Sequence, residues 1–217
     1  MTVHVADDNQ IIVEGFKALF SKYNINVLGH SNNGVDLINW LSVNTVDIVI
    51  LDISMPQKNG IEVINYLNNN NIKQKVIVVS AYIELQFIKD TVGNGALGYI
   101  SKQFASSDII NALEIVSKGG AYFSTDVQEY LIKECLNFNT NSNSQFATAM
   151  LEKSLSPQEM KILLLHAQKY SSEDISEQLS IAKSTVRSYR DRIRNKLNLT
   201  PKKGLELRLK YLKSTSK

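Results

Sequence analysis

The sequence predicts an α/β fold, a five-stranded doubly wound parallel sheet, followed by a small all-α helix-turn-helix domain. Within residues 1–120, five short apolar runs alternate with helical patterns, which is typical of strands joined by crossover helices. The run 48–51 has no polar alternation and is rich in β-branched residues, which favours a strand buried on both faces. Residues 154–217 contain only helical patterns, so a second domain is expected there.

The predicted elements of the first domain follow the apolar spacing in chain order. The strands are 3–6, 27–29, 48–51, 76–79 and 97–100. The helices are 11–20, 35–41, 61–67, 83–92 and 105–117, and the last stops at Gly119-Gly120. This domain is therefore predicted to span residues 1–120.

A connector is predicted for residues 121–153. Residues 127–136 fit a helix, whereas Asn137 to Thr148 is rich in Asn, Ser and Thr and indicates a flexible linker. The helical domain, 154–217, is expected to begin where Ser156 caps a helix and Pro157 takes its first position. Its helices are predicted at 157–168, 172–179, 183–197 and 203–212.

Charge is distributed unevenly between the two parts. Residues 1–153 carry 10 lysines and no arginine against 15 acidic residues, a formal charge of −5, whereas residues 154–217 carry 14 basic against 6 acidic residues, or +8. A basic module of this kind is a candidate for nucleic acid. Cys135 is the only cysteine, which excludes an intramolecular disulfide and a cysteine zinc site. We expect a cytoplasmic protein with no membrane span.

Charged and hydroxyl side chains follow several of the predicted strands. Asp7-Asp8, Asp52 and Lys102 come directly after the first, third and fifth strands, and Ser80 ends the fourth. In a flavodoxin-like sheet of order 2-1-3-4-5, these ends converge on one crevice at the switch point. One site would then hold three carboxylates, an ammonium group and a hydroxyl.

Three carboxylates in one crevice favour a hard cation such as Mg²⁺, with Asp8 and Asp52 as the expected direct ligands. An aspartate beside a divalent ion can also accept a phosphoryl group as an aspartyl-phosphate. Lys102 could then pair with one phosphoryl oxygen, and the Ser80 hydroxyl could donate to another.

These residues resemble, in order and spacing, the receiver domain of two-component response regulators. The match consists of Asp7-Asp8, Asp52 with Met55-Pro56 and Gly60, Ser80-Ala81, Gly98-Tyr99 and Lys102. Residues 155–199 resemble the LuxR-type helix-turn-helix, although Lys169 and Ser176 stand where that family often has glycine and alanine. The whole chain is similar to response regulators of the NarL/FixJ class.

The resemblance implies a role for each matching residue. Asp52 would accept a phosphoryl group from a sensor histidine kinase, and Asp7, Asp8, Asp52 and the Ser54 carbonyl would hold Mg²⁺. Ser80, Ala81, Tyr99 and Lys102 would contact the phosphoryl group and act as the switch, with Tyr99 turning inward on phosphorylation. Gln103 replaces a frequent proline, so we expect a trans bond after Lys102.

The helix predicted at 183–197 places Val186, Ile193 and Leu197 on its inner side. The residues left for a face toward double-stranded DNA are Lys183, Thr185, Arg187, Ser188, Arg190, Asp191 and Arg194. Arg187 and Ser188 are assigned to base edges, and Lys183, Thr185, Arg190 and Arg194 to phosphates.

Leu205, Leu209 and Leu212 form an apolar stripe at i, i+4 and i+7 that could pair with its copy in a homodimer, or could cover its own domain's core instead. The function predicted is a transcriptional regulator whose dimerisation and DNA binding depend on phosphorylation. Two alternatives remain at this point: a receiver that works by protein contact without phosphorylation, and a Mg²⁺-dependent phosphohydrolase that uses an aspartyl-phosphate.

Overall fold

The computed structural model describes residues 1–136 and 142–197. The chain divides into two compact units, Met1–Val127 and Gln128–Lys217. Each unit has its own architecture, and each is described by itself.

The first unit is a parallel sheet with helices on both faces. Its strands are β1 (Thr2–Ala6), β2 (Asn26–Ser31), β3 (Ile48–Leu51), β4 (Lys75–Ser80), β5 (Gly98–Ser101) and β6 (Tyr122–Phe123). Its helices are α1 (Gln10–Ser21), α2 (Gly34–Val43), α3 (Gly60–Asn69), α4 (Leu85–Val92) and α5 (Ala105–Ser117). Within the described residues the sheet order is β2-β1-β3-β4-β5-β6, with every neighbouring pair parallel.

The predicted α/β class and the order of the first five strands are confirmed, but the number of strands is wrong. A sixth strand, β6, pairs with the outer edge of β5 through Tyr122 opposite Gly98 and Phe123 opposite Tyr99. Two residues are too few to show an alternating pattern in the sequence. Both aromatic rings are buried, which explains why this segment adds to the sheet.

The sheet core explains the apolar strand sequences. All four residues of β3 are at most 1% exposed, because helices cover both faces of this central strand. Alternate residues of β1, β3 and β4 pack with α1 and α5, where Phe16, Phe20, Ile109 and Leu113 are buried in the same cluster. The strands that position the site are therefore held rigidly.

Within its described residues, the second unit consists of helices. Residues 128–136 of α6 (Thr125–Leu136) belong to it, followed by α7 (Ser142–Glu152), α8 (Pro157–Ala167), α9 (Ser172–Leu179) and α10 (Lys183–Lys196). As predicted, Ser156 caps α8, in a reciprocal capping box with Glu159, and Pro157 is the first helical residue. The core between α8, α9 and α10 includes Leu163, Ile175 and Val186, all at most 1% exposed.

The prediction of a flexible linker over residues 137–148 is wrong from Ser142 onward, where α7 begins. Ala147, Met150 and Leu151 are buried, and their spacing of three and four residues forms one apolar stripe. α7 packs against α8 within the same unit. Burial of this stripe outweighs the weak helix preference of the Asn- and Ser-rich start. The predicted helix 203–212 lies outside the described residues.

Candidate functional site

The aspartates predicted to share a site lie together at the carboxyl ends of β1 and β3. One carboxylate oxygen from each of Asp7, Asp8 and Asp52 lies within 4.8 Å of the others. The Asp52 N–H donates to the Ala6 carbonyl at 2.8 Å, and the Asp7 N–H donates to the Ser31 carbonyl at 3.1 Å. These bonds continue the sheet pairing past the strand ends and fix the cluster. Asp7 and Asp52 are buried, whereas Asp8 is exposed.

Lys102 bridges two of these aspartates from the end of β5. Its Nζ lies 2.7 Å from Asp52 Oδ2 and 3.0 Å from Asp7 Oδ2. Its backbone N–H donates to the Ser80 carbonyl at 2.7 Å, which fixes the start of the side chain beside β4. Every peptide bond in the described residues is trans, including Lys102–Gln103, as expected from the sequence.

Burial and charge act in opposite directions on this ion pair. Burial alone would lower the pKa of Lys102, but hydrogen bonds to Asp52 and Asp7 outweigh it and raise the pKa above its usual value. Burial raises the pKa of Asp52, and Lys102 opposes that shift only in part. The backbone N–H of Ser54 also donates to the Asp52 carboxylate.

The loop that follows Asp52 is held by two glycines. The Gly34 N–H, at the start of α2, donates to the Lys58 carbonyl at 2.9 Å, and the Gly60 N–H donates to the Ile53 carbonyl at 3.0 Å. A Cβ at Gly60 would lie 2.3 Å from the Asp52 carbonyl oxygen, and a Cβ at Gly34 would lie 2.4 Å from the Lys58 oxygen. Any other residue at either position would displace the loop that carries Ser54.

Ser80 and Tyr99 are brought together on neighbouring strands. Ser80 is fully buried, and its hydroxyl accepts from the Tyr82 N–H at 3.0 Å. Tyr99 is also fully buried, and its hydroxyl donates to the Tyr82 carbonyl at 2.5 Å. Burial raises the pKa of Tyr99, so the phenol is neutral. Ala81 is exposed between the two bonded residues.

Tyr82 is a residue that sequence reasoning missed. Its backbone N–H and carbonyl join Ser80 to Tyr99, and the available signal was the Ser80 hydroxyl two residues before it, a spacing typical of a side-chain turn. The Tyr99 ring already points inward in this structure, and its predicted turn on phosphorylation stays a prediction. The bond to Tyr82 satisfies the phenol there without a phosphoryl group.

α10 presents the predicted basic face. Val186, Ile193 and Leu197 are at most 1% exposed, as predicted for its inner side. A groove of about 640 Å³ is lined by Ser172, Lys183, Ser184, Arg187, Arg190, Asp191 and Arg194. A neighbouring concavity of about 300 Å³ is lined by Ser184, Thr185, Ser188, Tyr189 and Arg192. The seven residues predicted for this face are thus divided between two adjacent depressions.

Several cations of the groove have partners within the domain. Lys183 forms an ion pair with Glu173, and Arg194 Nη1 lies 2.7 Å from Asp191 Oδ1. Arg190 Nη1 donates to the Ser172 hydroxyl at 3.1 Å. Arg187 is exposed and has no hydrogen-bond or ion-pair partner among the described residues.

The turn between α9 and α10 is closed by a side chain. The Ser176 hydroxyl donates to the Ile181 carbonyl at 2.6 Å, and the Ile181 N–H donates to the Ser176 carbonyl at 3.1 Å. Lys169, which precedes α9, adopts a left-handed conformation with φ 72°. These are the two positions that depart from the LuxR-type pattern, and Ser176 gives the turn a bond that alanine would lack.

The predicted dimer residues Leu205, Leu209 and Leu212 lie outside the described residues. Among residues 1–136 and 142–197, no helix is long and apolar enough to cross a membrane.

Comparison with known proteins gives two family matches. Residues 3–114 match the response regulator receiver domain, and residues 153–205 match the bacterial regulatory proteins of the luxR family. The chain is 29% identical over 200 residues to response regulator UvrY of Escherichia coli (strain K12), covering 92% of this chain and 88% of UvrY.

A second relative is the oxygen regulatory protein NreC of Staphylococcus carnosus (strain TM300), 27% identical over 207 residues and covering 94% of each chain. Among solved structures, the response regulator RcsB of Salmonella typhimurium, described for its conformational dynamism in DNA interaction, is 25% identical. It covers 99% of both chains with a TM-score of 0.57. The receiver match covers more than half of the chain and the luxR match lies beyond it, so the chain belongs to the response regulators of the NarL/FixJ class, with a receiver domain and a LuxR-type helix-turn-helix DNA-binding domain.

Proposed function

We propose that this protein is a transcriptional regulator whose DNA binding is controlled by transfer of a phosphoryl group from a sensor histidine kinase to Asp52. The observation that carries the proposal is the convergence of Asp7, Asp8, Asp52 and Lys102 on one crevice. Such a regulator acts in the cytoplasm, where its kinase and its DNA meet.

The acidic cluster fits Mg²⁺. Its three carboxylates offer hard oxygen ligands within reach of one ion, and the exposed Asp8 leaves one side open to the water molecules that Mg²⁺ retains. Asp7, Asp8, Asp52 and the Ser54 carbonyl would hold the ion. When bound, Mg²⁺ would neutralise the charge that develops on the phosphoryl oxygens.

Asp52 is the residue that would accept the phosphoryl group. One of its carboxylate oxygens forms a bond to phosphorus as the bond from phosphorus to the kinase histidine nitrogen breaks. Lys102 then moves from its bonds with the carboxylates to a phosphoryl oxygen, so its positive charge stays in the crevice. The protein's own chemistry is confined to this transfer and to hydrolysis of the resulting acyl phosphate.

Ser80 and Tyr99 would transmit the effect of Asp52 phosphorylation to the surface of the receiver domain. The Ser80 hydroxyl, which now accepts from Tyr82, would instead donate to a phosphoryl oxygen. That change removes one bond that holds the turn at Ala81 and Tyr82. Because Tyr99 donates to the same turn, the surface beside β4 and β5 would repack.

The basic groove of α10 would bind double-stranded DNA. Its arginines can contact phosphates, and Arg187 has the length and fork geometry to read a guanine edge. The description of RcsB in terms of DNA interaction supports the same use of this domain.

The direct test is incubation of the protein with Mg²⁺ and acetyl phosphate, followed by mass spectrometry and a DNA-binding measurement. We expect one phosphoryl group per chain, none in Asp52→Asn, and tighter DNA binding only by the labelled protein. Asp90→Asn, which removes a carboxylate outside the cluster, should be labelled normally. Absence of labelling would favour a receiver that works by contact alone, and rapid release of many phosphates per chain would favour a phosphohydrolase.

A further inference from the structure

Two acidic side chains of the helix-turn-helix pair with groove cations: Asp191 with Arg194, and Glu173 with Lys183. Glu173, in the first turn of α9, forms an ion pair with Lys183, the first residue of α10. Both side chains are more than half exposed. Lys183 lines the groove together with Arg187, Arg190 and Arg194, so the Glu173 carboxylate is held at the edge of the proposed DNA surface.

Glu173 is not needed to begin α9. Ser171 and Asp174 form the capping box there: the Ser171 N–H donates to Asp174 Oδ2 at 2.7 Å, and the Asp174 N–H donates to Ser171 Oγ at 3.2 Å. The first turn therefore already has an acidic residue that satisfies its backbone. The ion pair with Lys183 is the interaction left for Glu173.

We infer that Glu173 lowers the sequence-independent affinity of this protein for DNA by holding Lys183 away from the phosphates. The inference rests on the proposed DNA-binding function and deepens it. A lysine that contacts a phosphate releases about one condensed counterion from DNA, and this release drives binding. A lysine held by a carboxylate makes no such contact, and the carboxylate itself repels the nearest phosphates.

Replacing the carboxylate tests the inference. With Glu173→Gln, Lys183 should reach a phosphate, so the slope of log association constant against log salt should become steeper by about one. At about 0.1 M salt, one additional released counterion corresponds to an increase of up to about eightfold in the association constant. DNA of any sequence should gain by a similar factor, because phosphate contacts carry no sequence information.

The experiment uses the full chain and a labelled duplex of mixed sequence, with binding followed by fluorescence anisotropy between about 50 and 200 mM salt. The matched control is Glu177→Gln, which makes the same charge change one turn later on α9. Glu177 is exposed and has no ion-pair partner among the described residues. Lys183→Gln is measured alone and in the Glu173→Gln background, and circular dichroism verifies that each variant is folded.

The result expected is a steeper salt dependence for Glu173→Gln than for Glu177→Gln, and loss of that gain when Lys183 is also replaced. Lys183→Gln alone should leave the slope of the parent protein nearly unchanged. Equal effects of the two glutamate variants on the salt slope would overturn the inference while leaving DNA binding intact. A salt slope reduced by one in Lys183→Gln alone would overturn it as well, because Lys183 would then already contact a phosphate. A parent protein that binds no DNA would contradict the proposed function itself.

Discussion

At the scale of single residues, the crevice keeps two carboxylates and one ammonium group out of contact with most solvent. Asp52 is 2% exposed, and its charge is stabilised by Lys102 and by the Ser54 N–H. Asp8 is the exposed member of the cluster and has no hydrogen-bond or ion-pair partner among the described residues. The three aspartates therefore contribute differently to folding and to metal binding.

We predict that Asp8→Asn leaves the fold intact but weakens Mg²⁺ binding at least tenfold, because one of the charges that neutralise the ion is lost from an exposed position. Phosphorylation by acetyl phosphate should fall with it. Calorimetric titration with Mg²⁺ measures the first effect, and Asp90→Asn serves as the control. Undiminished Mg²⁺ affinity in Asp8→Asn would contradict the proposed metal site, in which Asp8 is a ligand.

A second residue-scale prediction concerns His4, which is fully buried in β1. Its Nε2 lies 2.8 Å from Ser31 Oγ, and its ring centroid lies 4.3 Å from that of Trp40. Burial, with a smaller contribution from His30, lowers the pKa of His4 to about 4. The unfolded chain binds this proton more tightly, so stability is full above about pH 6.5 and falls as the pH drops toward 4.

The loss should amount to about 3 kcal/mol of unfolding free energy at the low end of that range, since one pKa unit corresponds to 1.36 kcal/mol. Urea denaturation at several pH values measures it. His4→Gln should be less dependent on pH between about 6.5 and 4, whereas His30→Gln, an exposed position, should retain most of the dependence. If the free energy of unfolding changed with pH in the same way for the parent protein and for His4→Gln, the His4 pKa would not be depressed.

The DNA face yields a third prediction at this scale. Arg187→Ala should relax preference for bases, because Arg187 is exposed and makes no hydrogen bond or ion pair within the described residues. Arg194→Ala should weaken all sequences alike and reduce the salt slope by about one, because Asp191 takes only one of the five guanidinium N–H donors and leaves the others for a phosphate. Selection from random DNA, followed by salt titration, separates the two. If both variants lost affinity equally for specific and random DNA, the assignment of base and phosphate contacts would be wrong.

The aspartates and Lys102 could be predicted because strand ends are visible in the apolar pattern, and parallel strands deliver their ends to one edge. Backbone contacts could not be predicted in the same way. The Tyr82 carbonyl accepts a hydrogen bond from Tyr99, and the Lys58 carbonyl accepts one from Gly34. Both bonds depend on loop geometry that no side-chain pattern in the sequence indicates. The ion pair between Glu173 and Lys183 was equally hidden, because it joins two exposed residues across a turn.

At the scale of elements, α10 is anchored to α8 by a pair that joins the start of one helix to the end of the other. Lys196 Nζ lies 2.7 Å from Glu159 Oε2, and the Glu159 side chain is 4% exposed. Burial alone would raise the pKa of Glu159, but Lys196 and the bonds with Ser156 outweigh it and hold the pKa below its usual value. The pair therefore stabilises the domain at pH values above the usual pKa of a glutamate carboxyl group. This stabilisation is lost as the pH falls and Glu159 becomes protonated.

We predict that Lys196→Met destabilises the C-terminal unit by about 1–2 kcal/mol, because Glu159 is left buried with fewer partners. The effect stays at the lower end because Lys196 is about half exposed and solvent screens its charge. Thermal unfolding measures it, with Lys161→Met as a control on the exposed side of α8. Equal melting temperatures for the two variants would show that the pair does not anchor α10.

Element boundaries were predictable where the helix carries its own signal. The capping box at Ser156 and the apolar stripe of α10 are both present in the sequence and in the structure. α7 was missed because its first half is rich in Asn and Ser and its stability comes from packing on α8. β6 was missed because two residues pair only when β5 already offers an edge. Tertiary context decided both cases.

At the scale of the whole molecule, the chain joins an acidic receiver to a basic DNA-binding domain, with formal charges of −5 and +8 on either side of residue 153. Phosphorylation adds about −1.5 to −2 charge units to the acidic half. A signal at Asp52 can therefore alter DNA binding only if it changes the contacts that the receiver makes with other surfaces, since direct neutralisation of phosphates is confined to the basic half.

The last prediction is that phosphorylation converts the protein into a homodimer that binds two half-sites. Repacking beside β4 and β5, which begins at the bonds among Ser80, Tyr82 and Tyr99, would expose a surface that a second copy can bind. A two-fold symmetric dimer places two copies of α10 on one face of DNA, so its site should be an inverted repeat. Leu205, Leu209 and Leu212, which lie outside the described residues, are the predicted contacts between the DNA-binding domains.

Analytical ultracentrifugation with and without acetyl phosphate and Mg²⁺ measures the change in mass, and footprinting measures the extent of the site. We expect a monomer that becomes a dimer only when Asp52 can be labelled, with Asp52→Asn remaining monomeric. Leu209→Lys should prevent paired footprints without altering phosphorylation, because a charge would stand in the apolar stripe. A labelled protein that stays monomeric and protects one half-site would refute dimerisation, since linkage requires the phosphoryl group to stabilise the assembled state.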